Sequence, residues 1–100
     1  MSTRIAVAAK IRSGKRDKLE QLLKGDPPFD LIGAGFERHF VYLGDEDVLF
    51  VFEGVSPVTA VKKLAAEKSL MGHVVRMASV VSGPHLLTEV YAWEREAVDA

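Results

Sequence analysis

The sequence predicts one α+β domain in which four strands and two helices follow the order β-α-β-β-α-β. Two observations predict it. Four segments carry apolar residues at every second position or in short apolar runs, which is typical of strands. Two segments between them repeat apolar residues every three to four positions, which is typical of amphipathic helices. Residues 1–100 have the length of a single domain.

The first strand is predicted over TRIAVAAKI, residues 3–11, because its larger apolar residues occupy alternate positions. The next segment, SGKRDKLEQLLKG, is predicted as a helix, with Ser13 as its N-cap and Gly25 as its stop. Its apolar stripe is formed by Leu19, Leu22 and Leu23. The following DPPFDLIGAG is expected to be a connector with a helical turn at its start.

FERHFVYLG and DVLFVFEG flank a short turn at Gly44, Asp45 and Glu46, and this arrangement predicts an antiparallel hairpin. The second of these strands has five consecutive apolar residues, from Val48 to Phe52. Since successive side chains of a strand point to opposite faces, both faces of this strand are apolar.

Ser56 followed by Pro57 indicates the start of a second helical region, because serine caps helices and proline suits their first turn. Apolar residues recur at helical spacing as far as Val81, with an interruption near Ser69 and Gly72. We therefore expect either one bent helix or two shorter pieces.

The segment SGP, residues 82–84, is expected to end the helical region because proline cannot continue a helix. HLLTEVYAWE, residues 85–94, is the predicted last strand, and REAVDA is a short polar tail.

This order of elements is the ferredoxin-like motif, a four-stranded antiparallel sheet with the helices on one face. The first and third strands are central in it. On the sheet face without helices, the third strand would expose either Val48, Phe50 and Phe52 or Leu49 and Val51. Each large apolar side chain left in water forgoes about 1.5–3 kcal/mol. We therefore expect a homodimer through the sheet face, with twofold symmetry.

The chain length, the element order, the hairpin FERHFVYLGDEDVLFVFEG and the closing VYAWE resemble the dimeric α+β barrel superfamily. That group includes antibiotic-biosynthesis monooxygenase-like domains and haem-degrading monooxygenases. The resemblance covers nearly the whole chain. It implies that two sheets pack into a barrel, and that a small-molecule pocket lies between each sheet and its helices. Function varies widely within such a fold, so the resemblance leaves the substrate open.

Composition excludes several classes of protein. Thirteen basic and fourteen acidic residues give a net charge of -1, which argues against nucleic acid as a partner. The absence of cysteine excludes thiolate metal sites and disulfides, and no histidine pair has metal-ligand spacing. No apolar run approaches the roughly 20 residues of a membrane span. We expect a cytoplasmic protein without a cofactor, a metal ion or a membrane partner.

His39 and His73 are the candidate catalytic residues, because imidazole titrates near neutral pH and serves as a general base. A hydrogen-bonded histidine without a catalytic role remains the alternative for both. The haem-degrading relatives combine a helix-borne histidine with an asparagine and a tryptophan. His73 and Trp93 are present here, but the chain has no asparagine, so haem binding or degradation is a minority hypothesis.

Five residues are the candidate ligand-binding set, because aromatic bodies with a few polar groups are typical of small-molecule pockets. They are Arg38, Tyr42, Glu89, Tyr91 and Trp93. The same residue types are typical of dimer interfaces, which stays open as the alternative. Glu89 needs a partner if it is buried, and Arg38 or Arg4 could provide one.

The sequence thus indicates binding of a small organic molecule, or its cofactor-independent, monooxygenase-like transformation, in a pocket between sheet and helices. The alternative is a non-catalytic regulatory ligand-binding or interaction module, similar to amino-acid-sensing domains of the same topology.

Overall fold

A computed structural model describes residues 2–25, 30–67 and 71–95, with Met71 described by its backbone alone. The elements are β1 (Thr3–Ile11), α1 (Arg16–Leu23), β2 (Phe36–Leu43), β3 (Asp47–Gly54), α2 (Pro57–Ala66), α3 (Met71–Ala78) and β4 (Val81–Thr88). The predicted order of strands and helices is confirmed. The second helical region consists of two pieces, which was one of the two expectations.

The four strands form one antiparallel sheet in the order β2-β3-β1-β4, so β1 and β3 are central as expected. In the central pair, Ile5 lies opposite Phe52 and Ala9 lies opposite Val48. These four side chains are buried, and they share the face that the helices cover. The sheet therefore has one covered face and one open face.

The core consists of two clusters on the covered face. One joins Leu19 of α1 and Val80 to β1 and β3, and the other joins Ala60 of α2 to Ile5 and Phe52. Leu19 and Val80 are fully buried. Met77 of α3 packs against the first cluster, so all three helices lie on this side of the sheet.

The strand registers show which side chains of β3 lie on the open face, where no described helix packs. Leu49 and Val51 lie on it, opposite Ala8 and Ala6 of β1, whereas Val48 and Phe52 lie in the core. Further side chains of the open face follow from the strand registers; they are Arg4, Arg38, Phe40, Tyr42, His85 and Leu87.

Helix α1 begins two residues later than the sequence predicts, because its N-cap is residue 15 instead of residue 13. A backbone hydrogen bond of 3.0 Å from the Lys15 amide to the Arg12 carbonyl closes a turn over Ser13 and Gly14. The N-cap position is therefore Lys15, whose side chain makes no capping bond, and the prediction of Ser13 as N-cap is wrong. The helix ends at Leu23 with Lys24 as its C-cap, so Gly25 directly follows the C-cap, as expected of its stop.

Strand β4 begins four residues earlier than the sequence predicts. Val81 pairs with Ile11 and is buried, so the apolar positions that suggested a continued helix belong to the core side of a strand. Gly83 has a φ of 60°, and the register shifts between Ala8 and Lys10. This irregularity accommodates Pro84, since proline is tolerated at bulges and on edge strands.

Candidate functional site

His39 is the histidine that the fold holds most firmly. It lies on β2 opposite Phe52, on the covered face, and it is half-buried. Its Nδ1 atom is 3.0 Å from the carbonyl oxygen of Val51. A carbonyl only accepts hydrogen bonds, so Nδ1 carries the proton in the neutral ring and Nε2 carries the lone pair. This tautomer makes Nε2 the basic atom of the side chain.

Aromatic rings fix the orientation of that imidazole. The rings of His39 and Phe52 are stacked, with centroids 4.4 Å apart and an interplanar angle of 19°. Phe52 in turn contacts Phe36, with centroids 4.9 Å apart. Both phenylalanines are buried, so they leave the imidazole little freedom to turn. His39, Phe52 and Phe36, which we call the aromatic row, therefore form a packed series of ring contacts that ends in the half-buried imidazole.

His73 lies on α3 and is half-buried. Burial and the nearby positive charge of Arg76 both lower the pKa of His73 below its ordinary value of 6.5. The imidazole is therefore neutral at pH 7.

The two histidines lie on elements near opposite edges of the sheet. His39 is on β2, whereas α3 packs against β4 at the opposite edge of the sheet. Strands are spaced by about 4.8 Å, so these edges are about 14 Å apart.

Arg38 and Tyr42 lie on the open face of the sheet, because they alternate with His39 and Val41 along β2. The side chain of Tyr42 is 58% exposed, and its ring lies 6.5 Å from that of Phe40. In one subunit, the sheet itself therefore separates these two ligand candidates from His39.

Glu89, Tyr91 and Trp93 follow the end of β4. The Glu89 carboxylate is 2.9 Å from Nε of Arg4, so one of its two expected partners is confirmed. Tyr91 and Trp93 are 79% and 74% exposed. These side chains do not line the covered side of their own subunit, and the five ligand candidates do not form one pocket with the histidines.

The sequence did not predict a cavity of about 380 Å³ at the end of the sheet. It is lined by Lys10, Ile11, Arg12, Ser13, Gly14, Arg16, Asp45 and Glu46. The side chains of Arg12 and Arg16 are held by the carbonyl oxygens of Ala78 and Gly44, at 3.0 Å each. The segment SGK was the only sequence signal there, and it lacks the glycine-rich frame of a phosphate loop.

Residues 2–25, 30–67 and 71–95 contain no group of three or more histidine or carboxylate side chains that could hold a metal ion. Within the same ranges, no helix is both long enough and apolar enough to cross a membrane.

Comparison with known proteins shows what this arrangement resembles. No family model matches the sequence, and no curated protein matches it. Among solved structures, the chain is similar to SnoaB, a cofactor-independent oxygenase from Streptomyces nogalater. The two are 12% identical over 94% of this chain and 98% of SnoaB, with a TM-score of 0.63.

Two further solved structures share the architecture. A NIPSNAP family protein from Agrobacterium tumefaciens is 14% identical over 92% of this chain and 94% of its own, with a TM-score of 0.62. Protein SO0527 from Shewanella oneidensis is 20% identical over 87% and 89%, with a TM-score of 0.56. The chain therefore shares its α+β ferredoxin-like fold with these solved structures.

Proposed function

We propose that the chain binds a small, electron-rich organic molecule beside the aromatic row and transforms it with oxygen without a cofactor. The observation that supports this most strongly is the 3.0 Å contact between Nδ1 of His39 and the Val51 carbonyl oxygen, which favours the tautomer with a basic Nε2 on a ring stacked against Phe52. The fold shared with a cofactor-independent oxygenase supports the same reaction class.

The chemistry requires little beyond a base and an apolar surface. Nε2 of His39 would take a proton from an acidic C–H or O–H group of the substrate. The resulting substrate anion would pass one electron to molecular oxygen, and the substrate radical and superoxide would then combine through a new C–O bond. The peroxide would take back the proton from Nε2 and lose water, so that one oxygen atom stays on the substrate as a carbonyl group and the other leaves as water. Phe52, which is stacked on the imidazole, and Phe36 behind it would hold the imidazole in place and keep water away from that side.

A substrate screen followed by oxygen consumption tests this proposal. Hydroxylated polycyclic aromatics are the probes, because they are planar and acidic. Binding should raise the melting temperature, and a substrate should consume oxygen in metal-free buffer. We expect His39→Gln to lower the turnover rate about 10²–10⁴-fold, the usual contribution of a general base.

His85→Gln is the matched control, since His85 lies on the exposed part of β4 and should leave the rate unchanged. His73→Gln tests the other candidate histidine. If turnover survives in a variant lacking both His39 and His73, the assignment of a histidine base is wrong.

We also propose that two copies form a homodimer through their open faces. The centre of the open face is apolar, with Leu49 and Val51 next to the alanines of β1. Charged pairs lie around it, and they include Lys10 with Asp47 at 3.4 Å and Arg4 with Glu89. An apolar centre with a polar rim is the usual anatomy of a protein interface.

Ligand binding without turnover is the second candidate function. It is favoured by the position of Arg38 and Tyr42, which the sheet separates from the histidine in one subunit. A regulatory module would show a ligand-dependent rise in melting temperature without oxygen consumption. Haem binding, the minority hypothesis, would produce a Soret band on titration.

A further inference from the structure

The cavity at the end of the sheet, which we call the sheet-end cavity, forms where two turns meet the end of β1. Its volume of about 380 Å³ lies within the range of about 300–1,000 Å³ that is usual for small-molecule sites. Its walls are the last residues of β1, the turn before α1 and the hairpin turn between β2 and β3. The Ile11 amide donates to the Glu46 carbonyl at 2.8 Å, and this hydrogen bond joins the end of β1 to the hairpin turn.

Two arginines line the sheet-end cavity, and a backbone carbonyl holds each of them in place. Nε of Arg12 donates to the Ala78 carbonyl at 3.0 Å. Nε of Arg16 donates to the Gly44 carbonyl at the same distance. Each guanidinium group has further N–H donors on its two Nη atoms.

These remaining donors are not taken up by carboxylates of the chain. Nη1 of Arg16 is 3.8 Å from the Glu20 carboxylate, which is too long for a hydrogen bond. Arg12 takes part in no ion pair within the part of the chain that the structure describes. Both guanidinium groups therefore keep donors for a ligand.

Negative charge lies on the hairpin turn, where Asp45 and Glu46 line the same cavity. Neither carboxylate makes an ion pair within residues 2–25, 30–67 and 71–95. The third cation of the lining, Lys10, is 3.4 Å from Asp47, so its charge is offset there. The cavity thus combines two unpaired carboxylates with the two guanidinium groups, and a ligand that fits it needs one anionic group and several hydrogen-bond donors.

Charge and geometry together indicate the class of that ligand. A phosphate monoester carries about two negative charges at pH 7 and three strong acceptor oxygens. Two guanidinium groups match this charge, and their planar forks pair with phosphate oxygens in a bidentate manner. Ionised carboxylates only accept hydrogen bonds, so Asp45 and Glu46 suit the hydroxyl groups of the same molecule and repel a second anionic group.

We propose that the sheet-end cavity binds a small phosphorylated polyol, such as a sugar phosphate. The phosphate group contacts Arg12 and Arg16, and the hydroxyl groups donate to Asp45 and Glu46. The phosphate is held by side chains, so the site does not need the glycine-rich frame that the segment SGK lacks.

This site is separate from the one proposed for oxygen chemistry. Phe52, whose ring is stacked on His39, lies five residues along β3 from Asp47, the partner of Lys10 at the cavity. At the rise of an extended strand this separation is about 17 Å. One small molecule therefore does not occupy both sites, and each proposal can fail without the other.

Titration calorimetry at fixed ionic strength tests the ligand class with four probes. We expect glucose 6-phosphate to bind most tightly, inorganic phosphate to bind more weakly and glucose not to bind at millimolar concentration. Gluconate has similar hydroxyl groups but one negative charge instead of two, so it should also bind more weakly. Equal affinity for gluconate would overturn the assignment to phosphate, and no binding of any probe would overturn the site.

Arginine variants test which side chains hold the phosphate. Arg12→Gln and Arg16→Gln should each weaken binding of glucose 6-phosphate about tenfold to a hundredfold, the usual effect of losing a hydrogen bond to a charged group. Lys18→Gln is the matched control, because it removes one positive charge from an exposed position of α1 outside the cavity. Equal weakening in all three variants would mean that general surface charge attracts the anion, and it would overturn the site.

The carboxylates give a second, independent measurement. A variant with both Asp45→Ala and Glu46→Ala loses two hydroxyl acceptors and two charges that repel anions. It should therefore bind glucose 6-phosphate and inorganic phosphate with more similar affinities than the wild type does. An unchanged ratio of the two affinities would contradict the role given to these carboxylates.

NMR spectra of the wild-type chain need no variant, which matters because both arginines also bond to the backbone of the fold. Addition of glucose 6-phosphate should shift the amide signals of Gly14 and Glu46, which line the cavity. The amide signals of His39 and Phe52 should stay in place. Shifts spread evenly over the surface would overturn the proposed site.

Discussion

Gly54 shows how closely two backbones approach where β3 ends. A Cβ atom built at this glycine would lie 2.5 Å from the carbonyl oxygen of Gly35 and 3.4 Å from Cα of Phe36. Both neighbours are backbone atoms, so neither can turn aside as a side chain would. This contact helps to set the path by which the chain enters β2, and hence the position of the aromatic row.

We therefore expect Gly54→Ala to lower the free energy of unfolding by about 1–3 kcal/mol, as overpacking does in tightly packed sites. Chemical denaturation measures the change. Gly72→Ala is the control, because nothing lies within 4 Å of its built Cβ and alanine favours helix. If the two variants are equally stable, the close approach at Gly54 has no energetic importance.

The lowered pKa of His73 predicts how the free energy of unfolding changes with pH. Burial and Arg76 lower its pKa in the folded state, so the unfolded chain binds a proton more readily there. The stability associated with neutral His73 is complete above about pH 6.5, and it is lost as the pH falls through 6.5 towards the lower pKa of the folded state. Denaturation curves across this range should show a shallower decline for His73→Gln. An identical decline in both proteins would mean that other groups cause it.

The sequence identified the candidate histidines, but it did not predict which side chains and backbone groups contact them. The alternation along β2 already separated His39 from Arg38 and Tyr42. It did not show which of the two sets faced the helices, because Val48 and Phe52 compete with Leu49 and Val51 for the core. The hydrogen bond from Nδ1 of His39 to Val51 depends on pairing between strands, and a single strand's pattern does not contain it.

Among the elements, α1 depends most clearly on one side chain. Leu19 is fully buried, and it joins the helix to Ala9 and Val48 of the sheet. The helix has only eight residues, too few to be stable by itself in water. Packing through Leu19 is therefore the main reason that α1 stays folded.

Leu19→Ala should lower the free energy of unfolding by about 2–5 kcal/mol, the range for leucine truncation in packed cores. Lys18→Ala, at the neighbouring exposed position of the same helix, should change it by less than about 0.5 kcal/mol. Urea denaturation compares the two, and a similar loss for both would contradict the role given to Leu19.

Element order could be predicted, but some element ends could not. The β1 limits and the β2–β3 hairpin follow from alternation and turn residues, which are local signals. The starts of α1 and β4 depend on contacts that are distant in sequence. The Arg12 amide bonds to the Val80 carbonyl at 2.8 Å, and Val81 pairs with Ile11, so both boundaries form together. The predicted turn at Pro27 lies outside the described residues.

In the molecule as a whole, the open face is an apolar surface that needs a partner. It joins Leu49 and Val51 to exposed Phe40 and Leu87, and no helix among residues 2–25, 30–67 and 71–95 covers it. The proposed dimer gives this surface a partner.

Sedimentation equilibrium at micromolar concentration, on wild-type chain and on Val51→Lys, tests the central proposal most directly. The account predicts a dimer for the wild type and a folded monomer for the variant, because a lysine in the middle of the open face would be buried without a charged partner. Ile32→Lys, in an exposed loop, should remain dimeric. A well-folded wild-type monomer would contradict the account.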